Sequence, residues 1–558
     1  MLLPSDTFRP VCVSDLPYFA TDISHIRHNP PSVLGDRRRE VVYDDLQKAL
    51  VRCGTASVER ISCTESERQR FCRLLNNDDV EPAKIIDHAC TRSIPLHGES
   101  MLERSERVMV VSDGSNIGLN SAAGKIRAKG GRLGVLNDGS APGLMLHASL
   151  AISTKTHQVL GLADALVFSR SKKEDGQGRH RAGQGRIRGD KQLIRSDKES
   201  HAWERGALNC RRLLREKGYN QRVYVHDAGS DDKVVISRLL ELKAHNDEAW
   251  QVGQAAQSDD FVIRLRDYQR VFYRGYRRDD NRGLPDIDWL DASLVRISKG
   301  LQLRKTKLGE LLDQHPCFDQ VVEIEIRELN HLSRKFKKRS RAKRKARLSI
   351  QTVQIRFRDL TGDWHRLTLV HAWENPSSLP KGQRKTAIKW VLLTSLPVKT
   401  LEQALEIIDI YRNRWHIEQL FRVLKRDGLD LSITQLADTN AIIKLLVMAL
   451  EAAAMVLKLV QARDQTQGNP ITEVFDEEQI EILKAVNREC EGRTQKQKNP
   501  YCESQLSYAT WVIARMGGWK VYRGKPPGPK VIARGLKDFL SFCKLTLRIR
   551  KNDNELTL

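Results

Sequence analysis

The sequence lacks features that would define several other classes of protein. No apolar run reaches membrane-spanning length, and the N-terminal stretch MLLPSDTFRPVCVSDLP has no basic flank followed by an apolar segment. We therefore expect neither a membrane anchor nor a signal peptide. The ten cysteines form no Cys-x-x-Cys pair and show no zinc-ligand spacing. They are interpreted as free thiols in a reducing, cytoplasmic environment.

Acidic residues are scarce relative to basic ones. The chain has 70 Asp and Glu against 94 Lys and Arg, which gives a formal net charge of +24. A surplus this large most often indicates a polyanionic partner, above all nucleic acid. A ribosome-associated protein and a protein of acidic membrane surfaces are the alternatives. At 558 residues the chain is too long for one hydrophobic core, so we expect three or four domains.

The N-terminal pattern is helical. Residues 1–30 show no periodic signal and are interpreted as an extension. The stretch VLGDRRREVVYDDLQKALVRCG predicts a helix capped by Asp36, and SERQRFCRLLNNDDVEPAKIIDHACTRS predicts two more, with a break near residues 76–79. Arg37 and Arg38 fall in the first turn, where cations oppose the helix dipole. We interpret them as ligands of an external anion; a helical cap that contacts no DNA is the alternative.

Two aspartates follow apolar, strand-like runs in the next part of the chain. RVMVVSD ends on Asp113 and RVYVHD ends on Asp227, and between them lie two strand-like segments and a helical one. This order is the ribonuclease-H-like pattern, in which adjacent parallel strands bring both aspartates to one edge of the sheet. Strand-terminal Asp is also a common turn former or helix cap, which is the alternative for either residue alone. The nearest competing carboxylates are Asp231, Asp232 and Asp138.

Two basic segments stand out beyond the first strands. Residues 170–198 are rich in Gly, Arg and Lys and predict a long loop. After the strand FVIRLRD, which contains Arg264, the pattern is β-rich from about residue 267 to 389. Inside it, residues 334–347 (RKFKKRSRAKRKAR) are almost continuously cationic. We interpret this run as a contact to DNA phosphates, with a localisation signal or a solvated loop as the alternative.

The run from Leu401 to Asp427 has no Gly or Pro and has apolar residues at helical spacing, so it predicts one helix. At about 100° per residue, a stripe roughly 60° wide holds one carboxylate among cations and a tyrosine. Its members are Tyr411, Arg414, Glu418, Arg422 and Lys425. A lone Glu in such a stripe indicates a functional site. Ordinary i,i+4 pairing on a solvated face is the alternative.

The spacing Tyr-x2-Arg-x3-Glu-x6-Lys, within KTAIKWVLLTSLPVKTLEQALEIIDIYRNRWHIEQLF, resembles the YREK signature of DDE transposases of the insertion-sequence-four family. The segments VVSDGSNIGLN and VYVHDAGSDD are similar to the surroundings of the family's two aspartates. The resemblance extends over about residues 33–519. It implies that Asp113, Asp227 and Glu418 are the catalytic carboxylates and hold the metal.

The resemblance implies DNA contacts as well. In the family, the residues that correspond to Tyr411, Arg414 and Lys425 hold the DNA end, and Arg422 lies on the same stripe. Arg264 matches an active-site arginine, and the N-terminal module with Arg37 and Arg38 grips the transposon end. Trp390 corresponds to a Trp that stacks on a flipped-out base. A core Trp at a strand end is the alternative for Trp390.

The expected fold class is α/β. A ribonuclease-H-like catalytic core carries a β-rich insertion between the second Asp and the Glu, and helical domains flank it. The expected division is an extension (1–30), a helical DNA-binding domain (31–105), the first part of the core (106–268), the insertion (269–392), the last part of the core (393–430) and a C-terminal helical dimerisation domain (431–558). The segment LSYATWVIARMGGW is similar to the family's dimerising segment. A self-packing terminal helix is the alternative.

Three carboxylates suit phosphoryl transfer with two divalent cations. Hard cations prefer carboxylate oxygens, so we expect Mg²⁺, with Mn²⁺ as a substitute. Because clustered carboxylates repel one another, the metal-free site should be partly protonated near neutral pH. The resemblance implies a bacterial, nucleoid-associated transposase that acts as a homodimer on double-stranded DNA, both its own terminal repeats and target DNA. A ribonuclease-H-like nuclease without strand transfer and a catalytically silent DNA-binding relative are the alternatives.

Overall fold

The computed structural model describes residues 33–96, 107–128, 133, 136, 142–168, 200–251, 257–266, 270–277, 289–291, 301–326, 329–331, 339–341, 344–426, 429, 431–463, 469–521 and 526–556. Several predictions fall outside these residues. They concern the extension 1–30, the basic loop 170–198, the competing carboxylate Asp138, and residues 334–338 and 342–343 of the cationic run.

Four helices form the N-terminal part: α1 (Arg37–Cys53), α2 (Val58–Ile61), α3 (Glu65–Leu75) and α4 (Pro82–Ser93). The carboxylate of Asp36 accepts a hydrogen bond from the backbone N–H of Arg38 at 2.8 Å, so the predicted N-cap is confirmed. The two helices on either side of residues 76–79 are confirmed as α3 and α4. Helix α2, with 4 residues, is too short to leave a periodic signal in the sequence.

The central sheet begins with β1 (Val108–Gly118), β2 (Gly143–Ser153), β3 (Val159–Phe168), β4 (Gln221–His226) and β5 (Ser258–Arg264). Its order is β3-β2-β1-β4-β5. Strands β1, β2 and β3 are antiparallel neighbours, whereas β1, β4 and β5 run parallel. Three helices belong to this part: α5 (Asn120–Ala128), α6 (His201–Glu216) and α7 (Lys233–Gln251). The predicted order of strand, strand, strand, helix and strand is therefore confirmed, with α5 added.

The sheet continues without interruption into the β-rich part. Strand β14 (Lys389–Thr394) pairs with β5, and the order then runs β14-β13-β12-β7-β6-β8, with β9 on β12. The ranges are β6 (Val271–Arg277), β7 (Trp289–Asp291), β8 (Leu301–Lys307), β9 (Val322–Ile326), β12 (Arg344–Arg358) and β13 (Trp364–Glu374). A separate pair, β10 (Leu329–His331) and β11 (Arg339–Arg341), and helix α8 (Leu308–Asp313) complete it. The boundary expected after residue 392 falls inside β14.

The single helix predicted from Leu401 to Asp427 is wrong. The chain forms two helices, α9 (Leu401–Arg412) and α10 (Trp415–Arg426), separated by a turn at Asn413 and Arg414. The physical reason is the Asn413 side chain, whose amide donates to the carbonyl of Asp409 at 2.9 Å and so closes α9. No Gly or Pro is needed for the break, which is why the sequence pattern did not reveal it.

The C-terminal part consists of α11 (Thr439–Ala462), α12 (Glu477–Cys490), α13 (Leu506–Met516) and α14 (Pro529–Leu556). Helix α11 is buried on most sides and carries three ionisable residues toward the N-terminal helices. Lys444 donates to the carbonyl of Leu75 at 3.0 Å, Glu451 accepts from the Tyr43 hydroxyl at 2.6 Å, and Lys458 donates to the carbonyl of Ser93 at 3.1 Å.

In the part of the chain that the structure describes, no helix is long and apolar enough to span a bilayer.

Candidate active site

Asp113 lies on β1, between β2 and β4 in the sheet. Val108 to Val111 of β1 pair in parallel with Arg222 to Val225 of β4, and the same register places Asp113 level with Asp227. The expectation that the first strand ends on Asp113 is wrong. Strand β1 continues to Gly118, because its other edge pairs with β2 along its whole length. The carboxylate is held by the backbone N–H of Gly114, which donates to its Oδ1 at 2.7 Å.

Asp227 follows the last residue of β4. Its Oδ1 accepts a hydrogen bond from the backbone N–H of Gly229 at 2.7 Å, so this carboxylate caps a 3-10 turn at Ala228–Ser230. The capping role that was the alternative for this residue is therefore present. The Oδ2 atom of Asp227 takes no part in this hydrogen bond, and the side chain is only half-buried.

Glu418 and Asp113 share one cationic partner, Arg414. The guanidinium of Arg414 contacts Asp113 Oδ2 at 2.8 Å with one nitrogen and Glu418 Oε1 with another. Burial lowers the pKa of Arg414, but the charges of Glu418, Asp113 and Asp227 contribute to raising it above its ordinary value. Two carboxylates from distant parts of the chain therefore contact one cation, and the charge of Asp227 acts on it as well.

Asp113 is the carboxyl group whose ionisation this environment changes most clearly. Burial raises its pKa to about 7, the charges of Asp227 and Glu418 add to the effect, and Arg414 and the Gly114 N–H oppose it. Partial protonation near neutral pH was predicted from repulsion between carboxylates. The direction is confirmed, but burial is the larger cause.

The competing carboxylates near Asp227 have structural partners. Asp231 forms an ion pair with Arg270 and accepts the backbone N–H of Arg266 at 2.9 Å. Asp232 accepts the backbone N–H of Val234 at 2.8 Å at the start of α7. Asp227 is thus the carboxylate of this group that faces Asp113.

Among the described residues, no group of three or more His, Cys, Asp or Glu is gathered closely enough to hold a metal ion. In the candidate site Asp113 and Glu418 instead contact the guanidinium of Arg414. The donor chemistry nevertheless fits a hard divalent cation, because all three groups offer carboxylate oxygens. A cation shared by Asp113 and Glu418 requires Arg414 to move away from one or both.

Tyr411 and Trp390 form one wall of the site. Tyr411 is buried, and its ring meets that of Trp390 edge-on, with 5.7 Å between centroids and 67° between planes. Trp390 is partly buried on β14, the strand that pairs with β5. In that pairing Arg264 lies opposite Leu392.

Lys425 lies on the opposite side, at the end of α10. Its ammonium group donates to the Ser115 hydroxyl at 2.7 Å, two residues after Asp113. A pocket of about 210 Å³ opens beside it, with Asn116 and Gly118 in the wall. Arg422, one turn earlier on α10, is exposed. This face therefore presents cations beside the carboxylates, as a polyanion requires.

Arg37 and Arg38 are not part of this cluster. They begin α1, where both side chains are exposed and Arg38 pairs with Asp36 at 3.2 Å. Their assignment as ligands of DNA stays a prediction.

Sequence reasoning missed the layer beneath Asp227. The Trp203 ring of α6 lies between the imidazoles of His147 and His226, with centroids 4.6 and 4.7 Å away. Burial lowers the pKa of His147 to about 4 and that of His226 to about 3, so both are neutral under physiological conditions. In the sequence, the one sign of this layer is that His226 directly precedes Asp227.

Part of the chain matches a known protein family. Residues 256–455 match the family model described as "Transposase DDE domain". The matched region contains Trp390, Arg414 and Glu418, whereas Asp113 and Asp227 precede it. A DDE domain implies a ribonuclease-H-like core, and the strand order β3-β2-β1-β4-β5 agrees with that architecture. It also implies an enzyme that cleaves and transfers DNA, and such enzymes generally use divalent metal.

Proposed function

We propose that the chain is a cut-and-paste transposase of the insertion-sequence-four family. It binds the ends of its own element, cleaves them and joins the 3′ ends to target DNA. The observation that supports this proposal most is the contact of Arg414 with both Asp113 and Glu418, beside Asp227 in the adjacent chain segment, in a chain with a transposase DDE domain. The formal net charge of +24 suits a double-stranded DNA substrate.

In this proposal Asp113, Asp227 and Glu418 would hold the divalent cations, with Mg²⁺ as the expected metal. Bound metal would supply activation of the attacking oxygen and stabilisation of the leaving oxygen, so that no separate protein base would be needed. Mn²⁺ can replace Mg²⁺, since it accepts the same oxygen ligands.

Arg414 and its neighbours bind the DNA backbone. When a phosphate enters, the guanidinium of Arg414 can exchange its carboxylate partners for phosphate oxygens, which it binds in the same planar, two-pronged manner. Arg422 and Lys425 lie exposed on α10 and add charge on the same face; of the two, Lys425 belongs to the YREK signature. Tyr411 supports the wall against which the DNA end rests.

The proposed reaction runs in four steps. Water first attacks at each end and leaves a 3′-OH, which then attacks the opposite strand to close a hairpin and release flanking DNA. A second water reopens the hairpin, and the 3′-OH finally attacks target DNA. In this proposal Trp390, partly buried against Tyr411, stacks on a base that leaves the duplex at the hairpin.

A homodimer brings the two ends together. The segment expected to dimerise forms α13, of which Leu506 to Ala514 are buried within the chain itself, in agreement with the self-packing alternative. Helix α14 instead exposes an apolar stripe, Phe542, Leu545 and Ile549, with exposed fractions of 46%, 58% and 52%. Their spacing places them on one side of the helix. We assign the dimer contact to this stripe.

A joining assay tests the proposed function. Purified protein, Mg²⁺, a labelled DNA with the terminal repeat of its own element and a plasmid target are incubated together. Nicks with 3′-OH ends, then hairpins and label joined to the plasmid, are the expected result. Cleavage without joining would identify a nuclease, and binding without cleavage in Mg²⁺ and Mn²⁺ alike would identify a silent DNA-binding relative.

A further inference from the structure

We propose that Arg266 is a positioning residue that acts through Asp227. With Asp231 and Arg270, it fixes the turn that presents this carboxylate and so sets the affinity of the site for its divalent cation. The inference rests on the proposed function in one respect, since it takes Asp227 to be a metal ligand.

The turn after β4 is short, and within it the backbone N–H and the hydroxyl of Ser230 donate to the carbonyl of Asp227. Asp227 to Asp231 form a short 3-10 turn, in which Gly229 is exposed and Asp227 and Ala228 are half-buried. The hydrogen bond from the Gly229 N–H to Asp227 Oδ1 ties the carboxylate to this backbone. Any movement of Gly229 therefore moves the carboxylate with it.

Arg266 bonds the same backbone from outside. Its Nε donates to the carbonyl of Ala228 at 3.1 Å, and its Nη2 lies 3.4 Å from the carbonyl of Gly229. The planar guanidinium thus spans two successive carbonyls of the turn. A lysine, with one nitrogen, can replace only one of these bonds at a time.

Asp231 joins the other end of the turn to the segment after β5. Its Oδ2 accepts the backbone N–H of Arg266 at 2.9 Å, and its Oδ1 pairs with the guanidinium of Arg270. The side chains of Asp231 and Arg270 are only 7% and 16% exposed, so the pair is shielded from solvent. The segment after β5 and the turn after β4 are therefore joined through both backbone and side chains.

This geometry matters because a metal ligand has to stay within about 0.5 Å of its productive position. Groups that orient a ligand typically contribute 10-fold to 100-fold in metal affinity. An exposed arginine beside catalytic carboxylates also suits a DNA phosphate. The two roles predict different changes, since a phosphate ligand affects DNA affinity and a positioning residue affects metal affinity.

The test measures Mn²⁺ binding to the full-length protein by electron paramagnetic resonance, beside DNA binding in EDTA. Arg266→Met retains the backbone N–H to Asp231 and removes both carbonyl bonds. We expect a Kd for Mn²⁺ about 10-fold higher, unchanged affinity for end DNA, and partial recovery in Arg266→Lys. Arg515→Met is the matched control, because Arg515 also donates to two backbone carbonyls, those of Cys490 and Trp519, outside the elements of the site.

A double-mutant cycle identifies the route of the effect. If Arg266 acts through Asp227, the variant with Arg266→Met and Asp227→Asn binds Mn²⁺ no more weakly than Asp227→Asn alone. Additive losses, or weaker DNA binding with unchanged Mn²⁺ affinity, would overturn the proposal. Wild-type protein that binds Mn²⁺ with the expected cycle but never cleaves DNA would refute the transposase function and leave the positioning role in place.

Discussion

Replacing Arg414 with Met should raise the metal affinity of the site at high pH and leave it nearly unchanged at low pH. Arg414 contacts Asp113 at 2.8 Å and also Glu418, and its side chain is only 17% exposed. It competes with a divalent cation for these carboxylates, and a hydrogen bond between charged groups is worth roughly 1.5–3 kcal/mol. With every carboxylate ionised, the variant should therefore bind Ca²⁺ at least ~10-fold more tightly than the wild type.

At lower pH this gain should disappear, because the interaction that the cation has to break is the same one that lowers the pKa of Asp113. Arg414 lowers the pKa of Asp113, which burial raises to about 7, and a neighbouring arginine typically lowers the pKa of an Asp by about 1–3 units. Without it, Asp113 stays protonated to a higher pH. Since the ligand must be deprotonated, affinity falls about tenfold per pH unit below that pKa. The midpoint of the profile should move from near 7 to about 8 or above.

Isothermal titration of Ca²⁺ into both proteins between pH 6 and pH 9 measures the two effects together. The free energy of unfolding, measured against pH, gives an independent check of the raised pKa of Asp113. Because the folded pKa of Asp113 lies above the ordinary value of 3.8, its contribution to stability is present below pH 3.8 and is lost as pH rises through about 7. Parallel affinity profiles for variant and wild type, with no shift of midpoint, would refute the assignment of Arg414 as the competing cation.

Three further predictions concern other parts of the chain. Trp390→Ala should slow hairpin formation roughly 10-fold while the first nick keeps its rate, because stacking on a base is worth about 1–3 kcal/mol; quench-flow on labelled ends separates the steps. Lys444→Met should lower the free energy of unfolding by about 1–3 kcal/mol, since it leaves the buried carbonyl of Leu75 without its donor; urea titration measures this loss. Leu545→Asp should yield a monomer in light scattering with and without end DNA, and unchanged dimerisation would exclude the α14 stripe as the contact.

Much of the candidate site could be predicted from the sequence, because strand pairing and helical spacing determine which of its residues lie together. Parallel pairing of β1 with β4 places Asp113 level with Asp227, and an apolar run ending on an acid is visible in each segment. The i,i+4 spacing of Arg414 and Glu418 gives the contact that the structure contains, even though α9 and α10 are separate helices.

Other features depend on contacts between residues far apart in the chain. The break at Asn413 arises from a side chain that competes with the helix backbone, and helical spacing does not reveal such competition. The continuation of β1 to Gly118 depends on pairing with β2. The bonds of Arg266 to the turn after β4 join residues 37 and 38 positions apart, and only the folded chain brings them together.

The assignment of the catalytic carboxylates is tested most directly by comparing two neighbouring aspartates, Asp227 and Asp232. Single-turnover cleavage of labelled end DNA in Mg²⁺ is measured for wild type, Asp227→Ala and Asp232→Ala, with end binding in EDTA as the control. Asp227→Ala should bind but not cleave, as should Asp113→Ala and Glu418→Ala. Asp232→Ala, which loses a bond to the start of α7, should cleave near the wild-type rate. Cleavage by Asp227→Ala, together with its loss in Asp232→Ala, would contradict the assigned carboxylates.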